Sequence, residues 1–337
     1  MTTRVLPVDP LDPEPDAIAA AAGVLRAGGL VAFPTETVYG LGAAALDAGA
    51  VERIFLAKGR PATNPVIVHV ADLSQLEQVV DVWPESAARL ARRFWPGPLS
   101  LVLPRRPEVP DVVTAGGATV AVRMPAHPVA AALIRAAGVP IAAPSANRSL
   151  RISPTTAEHV LTTLADRIEL VLDGGSCPRG IESTVLDLTT DPPTLLRPGL
   201  ITASELSEIL GTRIQLAESG REKRPEPVRS PGLSTRHYAP LAPVECVESS
   251  GAARVRQLLA AGHRVGWMGW EGTERVGHGQ VEAVAMPRDP AAYALRLYAV
   301  LHRFDECGVE RIIVEMPPDT EPWRAVRDRL QRAASPA

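Results

Sequence analysis

Apolar positions along this chain fall into two alternating patterns. Short runs with little polar interruption, at Leu30 to Phe33, Val66 to Val70, Leu99 to Leu103, Val120 to Arg123, Val139 to Ala143, Leu170 to Leu172 and Thr184 to Leu188, have the length of buried strands. Between them, apolar residues three and four apart predict amphipathic helices over Asp16 to Arg26, Ala48 to Leu56, Pro84 to Phe94, Pro128 to Ala137, Thr155 to Ala165 and Ala203 to Leu210. This alternation predicts an α/β domain with a largely covered, twisted open sheet. From about Leu216 to Pro240 both periods fail, in "LAESGREKRPEPVRSPGLSTRHYAP", whose Pro, Gly, Ser and charge mark a linker. Periodicity resumes with strands at Val244 to Val247, Arg264 to Met268 and Arg311 to Glu315, and helices at Ala252 to Ala261, Ala291 to Cys307 and Glu321 to Gln331. These predict a smaller three-layer α/β unit with a parallel sheet. The expected organisation is a first domain over 1–212, a linker over 213–240 and a second domain over 241–337.

Composition changes this picture little. Hydrophobic content of 46% with 22% charged residues describes an ordinary globular protein, and a net charge of -3 gives no global attraction to nucleic acid or an anionic surface. No apolar run reaches the roughly 20 residues of a membrane span. The N-terminal "MTTRVLPVDPLDPEPD" lacks the basic-then-apolar order of a signal peptide, so a cytoplasmic setting is expected. Cys177, Cys246 and Cys307 form no C-x-x-C pair, which argues against structural zinc and a disulfide framework. One bias is informative: of 35 basic residues only Lys58 and Lys223 are lysine. Lys58, within "AKGRPATNP", is therefore an exception that points to an anion site where a compact ammonium is wanted beside a planar guanidinium.

The polar loops carry the candidate chemistry. In "VAFPTETVYGLGAAAL" Gly40, Gly42 and Ala45 fit G-x-G-x-x-G/A, but Pro34 to Tyr39 separate them from the preceding strand, and Lys58 and Arg60 stand where a ribose-binding acid should be. P-loop, H-E-x-x-H and G-x-S-x-G patterns are absent from the sequence. The segments "PTETVYG", "KGRPATNP", "RMP", "APSANRS" and "GIESTV" fall where strands should end, so they are expected to converge on one crevice. Their Lys58, Arg60, Arg123 and Arg148, joined by Arg197, with hydroxyls and Asn64, suit a polyanion such as a nucleoside triphosphate. Ser153 is expected to cap a helix beginning at Pro154. His69, at a strand end, reads on its own as a satisfied core histidine.

The blocks "FPTETVYGLGA", "KGRPATNPVIVHV", "FWPGPLSLVL", "VAVRMPAHP", "APSANRS…SPT", "GIESTVLDL" and "LLRPG", in this order across residues 5–212, resemble the threonylcarbamoyl-AMP synthase family with its YrdC-like domain. The stretch "SPGLSTRHYAP" and the residues after it resemble the long members that append a small Rossmann-like domain. The resemblance implies an ATP-dependent nucleotidyltransferase that joins L-threonine, bicarbonate or CO2 and ATP into threonylcarbamoyl-AMP, with release of pyrophosphate, for a tRNA modification. It implies a threonine pocket of Thr37, His69, Arg123, the backbone at Ala143, and Ser183. It further implies an ATP side of Lys58, Arg60, Asn64, Thr119, Ser145, Ser153, Arg197 and the linker's Tyr238, with Lys58 and Arg60 catalytic. Mg2+ would arrive with ATP, the product would pass to a tRNA threonylcarbamoyltransferase, and a weak tRNA contact is compatible with that role. The linker from Arg221 to Pro240 is expected to act as a lid. One departure stands out: members commonly read S-A-N-x-S-G-x-P-S, whereas this chain has "SANRSLRIS", with Leu150 and Ile152 in place of glycine and proline. The competing reading is an RNA-binding YrdC-like module without catalysis, which would have no use for Thr37, His69 or Ser183.

Overall fold

The computed structural model of the chain describes residues 2–217, 237–270 and 280–335. The described residues fall into two compact units, the first comprising 2–149, 153–178 and 182–217, the second 150–152, 179–181, 237–270 and 280–335. Most of the expected lid lies outside the described residues.

The first unit is built on one mixed sheet. Its strands are β1 (Arg4–Pro7), β2 (Val31–Phe33), β3 (Gly40–Ala44), β4 (Ile67–His69), β5 (Leu99–Pro104), β6 (Thr119–Arg123), β7 (Ile141–Ala142), β8 (Leu170–Asp173), β9 (Thr184–Asp187), β10 (Thr194–Arg197) and β11 (Gln215–Leu216). They are ordered β1-β8-β2-β3-β7-β4-β6-β5-β9-β10-β11. The pairs β1/β8, β8/β2, β4/β6, β5/β9 and β10/β11 are parallel, whereas β2/β3, β3/β7, β4/β7, β5/β6 and β9/β10 are antiparallel. Mixed direction means that the loops facing one edge of the sheet are not all at carboxyl ends. Apolar side chains cover both faces: Leu30, Ala32, Leu41, Val68, Leu101 and Val122 pack with Val51, Ile54 and Leu90, while Val31, Phe33, Ile141 and Leu170 pack with Leu25, Leu133 and Ile134.

The stretch Gly40 to Ala44, a candidate dinucleotide turn by pattern, is strand β3, antiparallel to β2, and no helix opens at its glycines. A Cβ at Gly42 would lie 2.8 Å from Phe33 Cε1 and 2.9 Å from Ile141 Cγ2, so close packing explains that glycine. The helix Ala48–Lys58 is capped by Asp47, whose carboxylate accepts the Ala50 N–H at 3.1 Å, and stopped by Gly59 in the left-handed region at φ 61°. That stop places Lys58 at the last helical turn.

In the second unit β12 (Val244–Val247), β13 (Val265–Gly269), β14 (Val281–Ala285) and β15 (Arg311–Glu315) make an all-parallel sheet ordered β12-β15-β13-β14. With the helices Ala252–Ala260, Pro290–Glu306 and Arg324–Ala334, this is the parallel layered architecture the periodicity predicts.

Candidate active site

The turn Pro34 to Tyr39 connects β2 to β3, and all its residues are buried. Its threonines survive there because they bond locally: Thr35 Oγ1 accepts the N–H groups of Thr37 (3.1 Å) and Val38 (3.2 Å). Tyr39 N–H donates to Pro154 O at 2.9 Å and Tyr39 O accepts from Ala146 N–H at 2.8 Å, which ties the turn to the "PSANRS" loop. Arg123 ends β6 beneath it. Its Nε donates to Gly97 O (3.1 Å), its Nη1 to Thr37 Oγ1 (3.0 Å), and its Nη2 lies 2.7 Å from Glu36 Oε1. The last contact is an ion pair by distance, but its angles miss hydrogen-bond geometry, and both Glu36 oxygens are buried without a donor.

His69 ends β4 in direct register with Arg123. Its Nδ1 is buried without a partner, and burial together with the Arg123 charge pushes its pKa to about 3, so the ring is neutral at physiological pH. The expectation of a satisfied core histidine is therefore corrected: a neutral ring with one nitrogen lacking a partner in hydrogen-bond geometry stands in register with a guanidinium. Ser183 Oγ lies 2.8 Å from Ser100 Oγ and accepts from Arg197 Nη2 at 3.0 Å, while Arg197 Nε holds Ser183 O at 3.0 Å. Ala143 is buried and donates its N–H to Ile67 O at 2.9 Å.

Lys58 is 2% exposed. Its Nζ donates to Ser145 O (2.6 Å), to Asn147 O and to Asn147 Oδ1 (3.4 Å), so three oxygens match the three protons of an ammonium. Burial and the neighbouring Arg60 push its pKa well down, whereas hydrogen bonds from an ammonium to oxygens favour the charged form. Arg60 donates from Nε to Asn64 O (3.0 Å) and from Nη2 to Pro65 O (2.7 Å), and Asn64 Oδ1 is buried without a partner. Ser145 bridges to Gly40, so the lysine, the loop and the turn form one connected assembly.

Two placements differ from expectation. Ser153 does not cap a helix: the helix is Ala157–Leu164, and its N-cap is Thr156, whose hydroxyl accepts from His159 N–H at 3.3 Å. Ser153 is instead fully buried and donates to Glu182 Oε1 at 2.5 Å. Nor do all candidates gather at carboxyl ends. Asn64 precedes β4 and Thr119 opens β6, at the opposite ends of these parallel strands from His69 and Arg123. Four residues of strand rise separate Thr119 from Arg123, about 13 Å. The candidate surface therefore runs along the strands rather than across their tips.

Leu150 and Tyr238 belong to the second unit. Leu150 sits at φ 69°, a left-handed conformation glycine adopts freely, and its carbonyl accepts from Ala239 N–H at 2.9 Å. Tyr238 is 1% exposed, stacked on Tyr298 at 5.7 Å, with the Arg329 guanidinium 5.1 Å from its ring centroid. Among the described residues no three His, Cys, Asp or Glu side chains gather in a way that could hold a metal ion.

Sequence reasoning missed Glu36, Ser100 and Glu182. Ser100 had a visible signal, one hydroxyl amid the apolar run of β5. Glu36 had none beyond its place in the polar turn.

A family model described as "Telomere recombination" (Sua5/YciO/YrdC) matches residues 23–199, and one described as "Threonylcarbamoyl-AMP synthase, C-terminal domain" matches residues 201–335. The chain is 46% identical over 334 residues to the threonylcarbamoyl-AMP synthase of Bacillus subtilis, covering 97% of this chain and 95% of that protein. It is also 46% identical over 326 residues to that of Pyrococcus abyssi, covering 94% of each. The crystal structure of P. abyssi Sua5 complexed with L-threonine superposes with a TM-score of 0.92 at 43% identity, over 98% of both chains. Escherichia coli YciO gives a TM-score of 0.52 at 28% identity, over 59% of this chain and 96% of that one. The chain belongs to the threonylcarbamoyl-AMP synthase family, in its long two-domain form.

Proposed function

We propose that this chain condenses L-threonine, bicarbonate or CO2 and ATP into threonylcarbamoyl-AMP, releasing pyrophosphate. The observation that carries the reading is Arg123, a buried guanidinium bonded to Thr37 and aligned with the open, neutral His69. A small hydroxy amino acid finds there a partner for its carboxylate and acceptors for its polar hydrogens. Thr37, His69, Arg123, the backbone at Ala143 and Ser183 would hold threonine, an amino acid that the similar P. abyssi Sua5 structure carries as a ligand. Lys58, Arg60, Asn64, Thr119, Ser145, Ser153 and Arg197 would take ATP, which brings its own Mg2+ as part of the substrate.

No covalent nucleophile is needed. The threonine amine takes up the carbonate carbon, and an oxygen of the resulting carbamate attacks the α-phosphate in line as pyrophosphate departs. The chain contributes positioning and fixed positive charge from Lys58 and Arg60, which stabilises the departing negative charge. No described helix is long and apolar enough to cross a membrane. A cytoplasmic setting, with delivery of the adenylate to a tRNA threonylcarbamoyltransferase, completes the proposal. The test is pyrophosphate release with L-threonine and bicarbonate omitted in turn. Release should require both, and equal release without threonine would sink the assignment.

A further inference from the structure

Glu36 is the one charged side chain of the turn to which the proposed reaction gives no task. It is 5% exposed, and neither carboxylate oxygen receives a hydrogen bond. Among the described residues, three titratable groups interact with it. Arg123, from the end of β6, contacts one oxygen at 2.7 Å. His127, the N-cap of the helix Pro128–Ala137, feels the Glu36 charge against a drop in pKa caused by burial. Cys177, from the loop after β8, has its thiol pKa raised, first by burial and then by Glu36. None of these donates to the carboxylate in good geometry. A buried carboxylate left this way is costly, and such groups persist where a ligand completes them. Guanidinium and carboxylate side by side are also the charge complement of an α-amino acid zwitterion.

We infer that Glu36 binds the α-ammonium of the amino-acid substrate and accepts the proton that must leave its nitrogen before carbonate can be taken up. The inference rests on the proposed function and adds a residue to it. The ammonium gives one proton to a Glu36 oxygen. The freed nitrogen lone pair forms the N–C bond to bicarbonate, and the departing hydroxide leaves as water with a second nitrogen proton. Zwitterion, bicarbonate and carboxylate thus become carbamate, water and a protonated Glu36, with charge conserved. Arg123 holds the substrate carboxylate throughout. A neutral amine binds no anion, so without a carboxylate in the turn the enzyme would have to select the rare neutral form from solution.

Two measurements on the full chain test this. The first compares binding of L-threonine with that of 2,3-dihydroxybutanoate, which keeps the carboxylate and side-chain hydroxyl and lacks the ammonium. The wild-type chain should prefer threonine by roughly 10- to 100-fold, the scale of a charge-assisted hydrogen bond, and Glu36→Gln should erase that preference without changing affinity for ATP. The second follows threonine-dependent pyrophosphate release against pH. The ratio of Glu36→Gln to wild-type kcat/KM should climb about tenfold per pH unit toward the amine's own pKa, because the variant depends on amine already neutral. A carboxylate that only orients Arg123 would lower activity with a pH-independent ratio and an intact preference, and that result overturns the inference. Equal wild-type affinity for both ligands overturns it too, even if the variant does not fold. Wild-type pyrophosphate release without threonine would instead overturn the proposed reaction, while the binding preference still reports on Glu36.

Discussion

Removing the Lys58 ammonium should damage stability and catalysis by separable amounts. Lys58→Met keeps the aliphatic stem and takes away only the charged donor. The carbonyls of Ser145 and Asn147 then lose a partner in a site that is 2% exposed at the lysine itself. A buried acceptor left unmet costs about 1–3 kcal/mol, so two cost about 2–6 kcal/mol, a large part of the roughly 5–15 kcal/mol that holds a domain. Lys58→Arg restores charge, but a planar fork is bulkier and cannot converge on three oxygens as a tetrahedral ammonium does. Overpacking of that kind costs about 1–3 kcal/mol. Urea unfolding reads the stability loss, and pyrophosphate release at a temperature where each variant is folded reads the catalytic one. Lys58→Met should lose roughly 10²-fold or more in rate, the scale for removing a preorganised charge partner of the reacting phosphate. A Lys58→Met chain that is destabilised yet turns over normally would show that the ammonium only ties down the loop. A Lys58→Arg chain with full activity would refute the requirement for a point charge.

Three further outcomes are expected. Arg60→Ala should lose roughly 10²-fold or more in pyrophosphate release, measured at saturating ATP so that weaker binding does not mask the loss of charge. His69 has an ordinary pKa of 6.5 and one of about 3 when folded, so the unfolded chain binds more protons between those values and stability is lost as pH falls through that window. His69→Gln should therefore show a smaller drop in Tm than wild type on going from about pH 7.5 to about pH 5, with His159, pushed to about 4, keeping part of the acid sensitivity; an unchanged drop would count against the assignment. Leu150→Gly relieves a left-handed leucine, worth roughly 1–2 kcal/mol, and loses about 0.5–1 kcal/mol to unfolded-state entropy. Because Leu150 is 43% exposed, the denaturation midpoint should stay level or rise, and a loss above about 1 kcal/mol contradicts this.

The elements legible in sequence were those whose own residues state the period. Strand β12, β15 and the helices Pro128–Ala137 and Ala203–Leu210 coincide with the expected bounds, since each is a clean apolar pattern closed by a turn or a glycine. Strand β3 was not legible: "GLGAA" has poor β propensity, and it is a strand because β2 and β7 flank it and demand small residues there. Ser153 illustrates a second limit. Ser-Pro satisfies the local rule for a helix start, yet Thr156 is the cap, because Ser153 meets Glu182, which lies 29 residues away. Loop composition singled out Lys58, Arg60 and Arg123 because a charge among turn residues is visible locally, and the structure buries all three. Glu36 escaped because its meaning depends on what surrounds it, and a long-range environment has no local signature.

The cations of the first unit also explain why folding and chemistry are joined here. Lys58 anchors Ser145 and Asn147, Arg60 anchors the backbone at Asn64 and Pro65, and Arg197 anchors Ser183. Each of these loops carries a residue proposed to touch substrate. Bonding to a carbonyl orients a cation without neutralising it, since the acceptor is a dipole and the unit charge remains to act on an anion nearby. The same side chains can therefore shape the loops and supply the positive potential a triphosphate needs, with little reorganisation when it arrives. A rate loss at any of these positions thus measures electrostatics only after the accompanying stability loss has been set beside it, and conservative charge-preserving changes are more informative than truncation to alanine.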